Sequence, residues 1–288
     1  MPVMADQQDR PVALAPFVED LHAQGRLRVW SILVSIFGDL AGPLPGQLAL
    51  RDIHQLTRQF GITDGAVRTA LSRLLAEDWL VSGKSGRHAF YALSPAGIAA
   101  VAEASSRIYV RPAQPQTGWQ LIVTDPDAPP VQLAAQALRL TPECWLLPAS
   151  DRPPSDALVL AGPLTHRPGW LAARLAGARL TEDYARLEKL AKTLQDRLDS
   201  MGGASQLAPE TAMGLRVLLL HFWRRLVLRH SPHLFWLLGP GWPGTQAARQ
   251  IGPLWHQLLD RSESWPMPDS QRAPLSLLKS RFADHPPE

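Results

Sequence analysis

The sequence predicts an α+β multidomain protein: an N-terminal winged helix-turn-helix, a small ferredoxin-like α/β middle domain and an α-helical C-terminal domain. Three observations predict it. Between residues 26 and 111 two short amphipathic helices meet across a glycine turn and run into an aromatic hairpin. Between 112 and 180 short apolar runs alternate with turn residues, and from 181 to 288 leucine-rich helical periodicity dominates.

Residues 1–25 carry Asp6, Asp9, Glu19 and Asp20 against Arg10, with Pro2, Pro11 and Pro16 interrupting helical periodicity, and read as an adaptable arm. From Arg26, the apolar residues Leu27, Trp30, Ile32, Leu33, Ile36 and Phe37 predict a helix ending near Gly38, before the loop Gly42-Pro-Leu-Pro-Gly46. Leu50 to Phe60 is a second helix with Ile53, Leu56 and Phe60 on one face. A third follows Thr63, a residue suited to cap it, with Val67, Ala70, Leu71, Leu74 and Leu75 as its apolar stripe. Trp79-Leu-Val81 and Ala89-Phe-Tyr-Ala-Leu93 flank the polar turn Ser82–His88 and predict the hairpin, or wing. Ser94-Pro95 starts a helix reaching Ile108-Tyr109, and the proline-rich Arg111–Gly118 marks the end of the domain.

In the middle domain, Trp119–Thr124, Cys144–Leu147 and Ala157–Ala161 read as strands and Val131 to Leu140 as a helix. Thr181-Glu182 starts a long helix with Leu187, Leu190, Leu194 and Leu198 on one face. That stripe could be a dimer seam, although packing within the domain is its commoner use. A further helix runs from Pro209-Glu210 toward His230. No repeat of 20–50 residues is present.

Composition sets outer limits. At 288 residues, 45% hydrophobic and 19% charged, the chain lies far from the signature of disorder. The net charge of +3 is too small to argue for nucleic acid by itself. Over residues 26–111, however, ten Lys/Arg stand against six Asp/Glu, an excess of four in the domain that needs it. One cysteine, Cys144, excludes an internal disulfide and fits a reducing, cytoplasmic setting. The polar start gives no support to secretion and no apolar run reaches the roughly 18 residues of a membrane span, so the sequence reads as a soluble intracellular protein.

A winged helix-turn-helix lays its third helix in the DNA major groove and touches flanking backbone with the wing. Removing the core stripe leaves Asp64, Gly65, Arg68, Thr69, Ser72 and Arg73 facing outward. Arg68 is the preferred base reader because a guanidinium can bond guanine O6 and N7 together. Lys84, Arg87 and His88 at the wing supply phosphate contacts. The plainer alternative is that Arg68 and Arg73 solvate an exposed face or pair with Asp64 and Glu77, and winged helices also serve as protein-interaction modules.

Ser35-Ile-Phe-Gly-Asp39, Val67-Arg-Thr-Ala-Leu-Ser-Arg-Leu74, Glu77-Asp-Trp-Leu80 and Gly86-Arg-His-Ala-Phe-Tyr-Ala-Leu-Ser94 together resemble the phenylacetate-catabolism repressor family, PaaX. A distant second region, Leu218–Arg229 followed by Leu237-Leu238 and Gly241-Trp-Pro-Gly244, is similar to that family's C-terminal domain. The chain departs from the family pattern at Ser231-Pro232, where the family carries Asp-Pro, and at His233-Leu-Phe-Trp236. The resemblance implies a homodimeric repressor of aromatic-catabolism genes, bound to double-stranded operator DNA and released by phenylacetyl-coenzyme A, with no cofactor beyond that acyl-CoA effector.

An acyl-coenzyme A wants basic groups for its phosphates and apolar surface for its acyl end. His221, Arg224, Arg225 and Arg229 offer charge, and Trp223, Trp236 and Trp242 offer aromatic surface; core packing and ion pairs to Glu210 or Asp260 are the alternative. Other signals are weaker. Ser82-Gly-Lys-Ser-Gly86 lacks the first glycine of a phosphate loop, Asp78 standing there. His221, His230 and His233 have no complementary ligand set for a metal. Asp125 alone does not make a nuclease, and Cys144 has no neighbouring base. The rival readings are a winged-helix-fused enzyme, either a middle-domain nuclease or an acyl-CoA thioesterase, and a DNA-binding domain joined to a protein-binding remainder.

Overall fold

In the computed structural model residues 13–23, 27–41, 46–85, 88–109, 118–127, 137–265 and 273–282 are described, and they form a mixed α+β architecture of eleven α-helices and two small antiparallel sheets. The N-terminal half contains α1 (Ala15–Ala23), α2 (Val29–Leu40), β1 (Gln47–Ala49), α3 (Leu50–Gln59), α4 (Asp64–Ala76), β2 (Leu80–Ser85), β3 (His88–Leu93) and α5 (Pro95–Ile108). Its sheet has the order β1-β3-β2, with Ser85 opposite His88 at the tip of the β2–β3 ribbon. The second sheet contains β4 (Trp119–Thr124), β5 (Leu138–Arg139), β6 (Cys144–Pro148) and β7 (Ala157–Gly162) in the order β5-β6-β4-β7. The remaining helices are α6 (Trp170–Leu175), α7 (Gly177–Met201), α8 (Pro209–Val227), α9 (Leu234–Leu238), α10 (Pro243–Ser262) and α11 (Leu275–Ser280).

The centre of the molecule is α8. Every residue from Thr211 to Trp223 is buried, the mark of a helix surrounded on all sides. It packs on α7 and α10 and also on α1, α2, α3 and α5, so the units that the sequence separates share one buried cluster running from Ala13 to Phe282. In α7, Tyr184, Leu187, Ala191, Leu194 and Leu198 face this core, so the leucine stripe is used for packing within the chain.

The fold also corrects several expectations. The segment read as an arm contains α1, whose Phe17, Val18 and Leu21 are buried, with the Phe17 ring 6.3 Å from that of Phe222; residues 1–12 and 24–26 lie outside the described residues. Pro16 stands in the first turn, where a missing N–H breaks no helical bond. Helix α2 continues through Gly38 because Asp39 and Leu40 are buried, which outweighs the intrinsic cost of glycine. Where Val131 to Leu140 was expected to be helical, Leu138 and Arg139 form β5, paired with Leu146 and Trp145; residues 131–136 lie outside the described residues. Helix α7 starts four residues before Thr181, whose hydroxyl instead donates to the Gly177 carbonyl at 2.9 Å. Helix α8 stops at Val227, short of His230.

Candidate nucleic-acid interface and adjoining cleft

Helices α3 and α4 join through Gly61, at φ 72°, between buried Phe60 and Ile62. The Thr63 hydroxyl accepts the Ala66 N–H at 3.3 Å, capping α4 as its sequence suggests. Val67, Ala70, Leu71 and Leu74 anchor α4 against α2, leaving Gly65, Arg68, Thr69, Ser72 and Arg73 exposed. Below it, the Ser94 hydroxyl accepts the Gly97 N–H at 3.0 Å to cap α5. A Cβ at Gly97 would run into the Trp79 carbonyl, so only glycine lets α5 seat against the base of the ribbon. Lys84 and His88 are exposed on that ribbon; Arg87 lies outside the described residues.

The outward residues of α4 divide into two groups. Gly65, Arg68 and Ser72 lie one helical turn apart along a single exposed line. Thr69 and Arg73 instead line the wall of a cleft beside α4, and the Thr69 hydroxyl donates back to the Gly65 carbonyl at 3.0 Å. Arg73 pairs with Glu77 at 2.7 Å and its guanidinium stands 5.2 Å from the Trp30 ring centroid. Asp64 is held by Arg58 at 2.5 Å, a hydrogen-bonded pairing that keeps its carboxyl below the usual range. His54 lies 3.4 Å from Asp64, yet burial lowers its pKa, so this contact involves a neutral ring near pH 7.

The cleft has a volume of about 960 Å³ and lies between α1, α2, α4, α7 and α8. Arg28, Arg73, Arg179, Arg225 and Arg229 line it together with His221, Trp30 and a wall of leucine, valine and alanine side chains. Arg229 pairs with Asp183 at 3.2 Å. The Arg225 pKa is held down by burial and by the charges of Arg229 and Arg28, against the opposing pull of Asp183 and Asp20.

The seven residues expected to meet an effector are not brought to one wall. His221, Arg225 and Arg229 reach the cleft. Arg224 turns to the other side, donating to the Ser35 hydroxyl at 2.6 Å and to the Ser31 carbonyl and hydroxyl at 2.6 and 2.9 Å. It borders a smaller cavity of about 110 Å³ beside Trp79, Val101 and Tyr109. Burial lowers its pKa to about 10, leaving it charged near neutrality. Trp223 and Trp242 belong to the core: Trp223 stacks on Phe235 at 5.8 Å and donates to the Ile108 carbonyl at 2.8 Å, while Trp242 meets Tyr184 at 5.0 Å. The bulk that made these tryptophans attractive as ligand surface is spent on joining α5, α7, α8 and α9. Trp236 is half-buried in α9, away from the cleft lining. At the departure from the family pattern, the Ser231 hydroxyl accepts the His233 N–H at 3.3 Å, serving the turn as an aspartate would.

Arg28 and Arg179 were not singled out in the sequence, and Trp30 was read there only as an apolar residue of its helix. Arg28 and Trp30 stand at the start of α2 and Arg179 far along the chain in α7, and neither periodicity nor motif links the two segments. No group of three or more His, Cys, Asp or Glu side chains suited to a metal occurs among the described residues. No helix among them is long and apolar enough to cross a membrane.

Comparison with known proteins gives three findings. The family described as PaaX-like protein matches residues 28–97, and its C-terminal domain, described as PaaX-like protein C-terminal domain, matches residues 176–267. The Transcriptional repressor PaaX of Escherichia coli (strain K12) is 30% identical over 245 residues, covering 77% of this chain and 77% of that protein. A solved structure, the uncharacterized protein Rv0674 from Mycobacterium tuberculosis, aligns at a TM-score of 0.47 and 18% identity over 81% of this chain and 97% of the other. With two matched stretches that exceed half of its length and that relative spanning most of it, the chain belongs to the PaaX family.

Proposed function

We propose that this protein is a DNA-binding transcriptional repressor of an aromatic-catabolism operon of the phenylacetate type, released by an aryl-acyl-CoA such as phenylacetyl-CoA. The observation that carries the DNA-binding part is α4: a capped helix, anchored on α2, that presents Gly65, Arg68 and Ser72 outward while the β2–β3 ribbon presents Lys84 and His88. The element order α2-β1-α3-α4-β2-β3 suits a winged helix-turn-helix. The strand order β5-β6-β4-β7 suits a ferredoxin-like middle layer. Likeness to a named transcriptional repressor supports the direction of regulation. On this reading the protein works in the cytoplasm as a homodimer, since paired half-sites match a two-fold protein.

An enzymatic reading has less support. The Asp125 carboxylate accepts the Asp127 N–H at 2.9 Å, a turn-forming use, and burial raises the Cys144 pKa away from thiolate reactivity. The test is fluorescence anisotropy on the DNA upstream of the protein's own gene and on scrambled DNA, with phenylacetyl-CoA, phenylacetate and coenzyme A. Selective binding released only by the thioester is expected; equal binding to both DNAs would contradict the reading.

A further inference from the structure

The cleft beside α4 joins two features that the DNA-binding reading does not use together. Five arginines enter it, Arg28 from just before α2, Arg73 from α4, Arg179 from α7, Arg225 from α8 and Arg229 from just after it, and no carboxylate lines it among the described residues. The acidic partners stand behind the basic wall: Glu77 holds Arg73 at 2.7 Å, and Asp183 holds Arg229 at 3.2 Å. Arg28 and Arg179, both exposed, make no ion pair with any described residue. Like charges gathered on one wall raise each other's energy unless an anion joins them; the Arg225 pKa is held down first by burial and then by the charges of Arg229 and Arg28. The rest of the lining is apolar: Leu21, Leu27, Val29, Ala66, Ala70 and the Trp30 ring. Multiple guanidiniums beside an aliphatic and aromatic wall suit a ligand with several phosphate charges and an apolar end.

We infer that this cleft is the effector site, and that a small molecule with two or more phosphates and an apolar end occupies it and competes with DNA for the Thr69–Arg73 flank of α4. The inference rests on the proposed acyl-CoA effector and adds the place where it binds and the way it acts. Thr69 and Arg73 belong both to the cleft wall and to the outward side of the helix proposed to enter the groove. A phosphate held there puts negative charge where the DNA backbone must come. Release therefore needs no long-range relay: the two ligands exclude each other at a shared surface, and operator binding weakens by mass action as the cleft fills.

The experiment uses the full chain and the exposed pair Arg28→Gln/Arg179→Gln. Calorimetric titrations of phenylacetyl-CoA and of inorganic pyrophosphate run beside operator anisotropy without ligand. The expected result is an affinity for both ligands reduced about tenfold or more, with operator affinity held within about twofold. Unchanged phenylacetyl-CoA affinity in the double variant would overturn the site, as would a wild-type protein that binds neither ligand. An equal loss of operator affinity would also overturn it and make the cleft a channel for the DNA backbone. Pyrophosphate binding that the double variant loses, in a protein indifferent to phenylacetyl-CoA, supports the site and counts instead against the proposed effector. Absence of operator binding by the wild type counts against the repressor reading alone, because calorimetry still tests the cleft.

Discussion

Asp39 Oδ2 lies 2.8 Å from Arg216 Nε, and both side chains are 0% exposed. The approach is an ion pair whose angle falls short of a hydrogen bond. Arg281 completes the group, donating to Asp39 Oδ1 at 3.0 Å and to the Asp39 and Gly38 carbonyls at 2.9 Å, while its guanidinium covers the Tyr109 ring at 4.4 Å. One carboxylate at the end of α2 thus joins the helix that supports α4 to the central α8 and to the segment after α11. Asp39→Ala removes the carboxylate that two buried guanidiniums share, leaving Arg216 only the longer pairing with Glu263 at 3.4 Å, and should cost about 3–5 kcal/mol. Urea denaturation measures this; a loss below about 1 kcal/mol would remove the cluster from the account.

A second polar seam between α2 and α8 runs through Ser35, whose hydroxyl lies 2.9 Å from His221 Nδ1 and accepts from Arg224. Ser35→Ala takes a buried partner from His221 and leaves Arg224 only its bonds to Ser31, and is expected to cost about 1–3 kcal/mol. Thermal and urea denaturation of the variant check it. Ser35→Thr, which keeps the hydroxyl, should recover part of the loss.

Acid should weaken the fold within a defined window. Burial holds His221 well below its usual pKa and His230 down to about 4. Unfolded imidazoles titrate near about 6.5, so below that value the unfolded chain binds protons that the native chain refuses. Stability from these rings is therefore complete above about pH 6.5 and is lost as the pH falls toward 4. For His230 alone the loss at about pH 5 is on the order of 2 kcal/mol, read as the difference in unfolding free energy from about pH 7.5. In His230→Gln that share of the pH dependence should disappear.

Gly97→Ala should be among the most damaging single-methyl additions, since its Cβ meets the fixed Trp79 carbonyl instead of a movable side chain. The expected cost is about 1–3 kcal/mol or more, with the ribbon base loosened against α5. Gly65→Ala offers the control: nothing lies near its Cβ, and in the first turn of α4 alanine gives up less backbone freedom than glycine. Its stability should be unchanged or higher.

The parts legible in the sequence are those fixed by local chemistry. Thr63 and Ser94 mark helix starts because their side chains satisfy N–H groups within three residues. The β2–β3 ribbon shows itself in aromatic residues flanking a glycine-rich turn. What stayed hidden depends on partners far away in the chain. Helix α1 exists because Phe17 finds Phe222, and α10 tolerates Pro253 within a helix whose Ile251, Leu254 and Trp255 are buried. Asp39 and Arg281 are 242 residues apart. The cleft was half visible: Arg225 in the last turn of α8 and Arg229 just beyond it, four apart in sequence, signal a basic face, but Arg28 and Arg179 join it only through the fold. Trp223 and Trp242 misled because a tryptophan in sequence looks the same in a core as at a ligand.

Lys84→Ala should weaken binding to operator and scrambled DNA alike and lower the salt slope by about one charge, because a phosphate contact carries no sequence information. Anisotropy across a range of salt concentrations reads both quantities.

The most direct test of the central claim is the ratio of operator to scrambled-DNA affinity for Arg68→Ala against the wild type. If the outer line of α4 reads bases, the variant loses about 1–3 kcal/mol of discrimination while keeping its binding to scrambled DNA. An Arg68→Ala protein that keeps the full ratio would contradict the assignment of α4 as the reading helix.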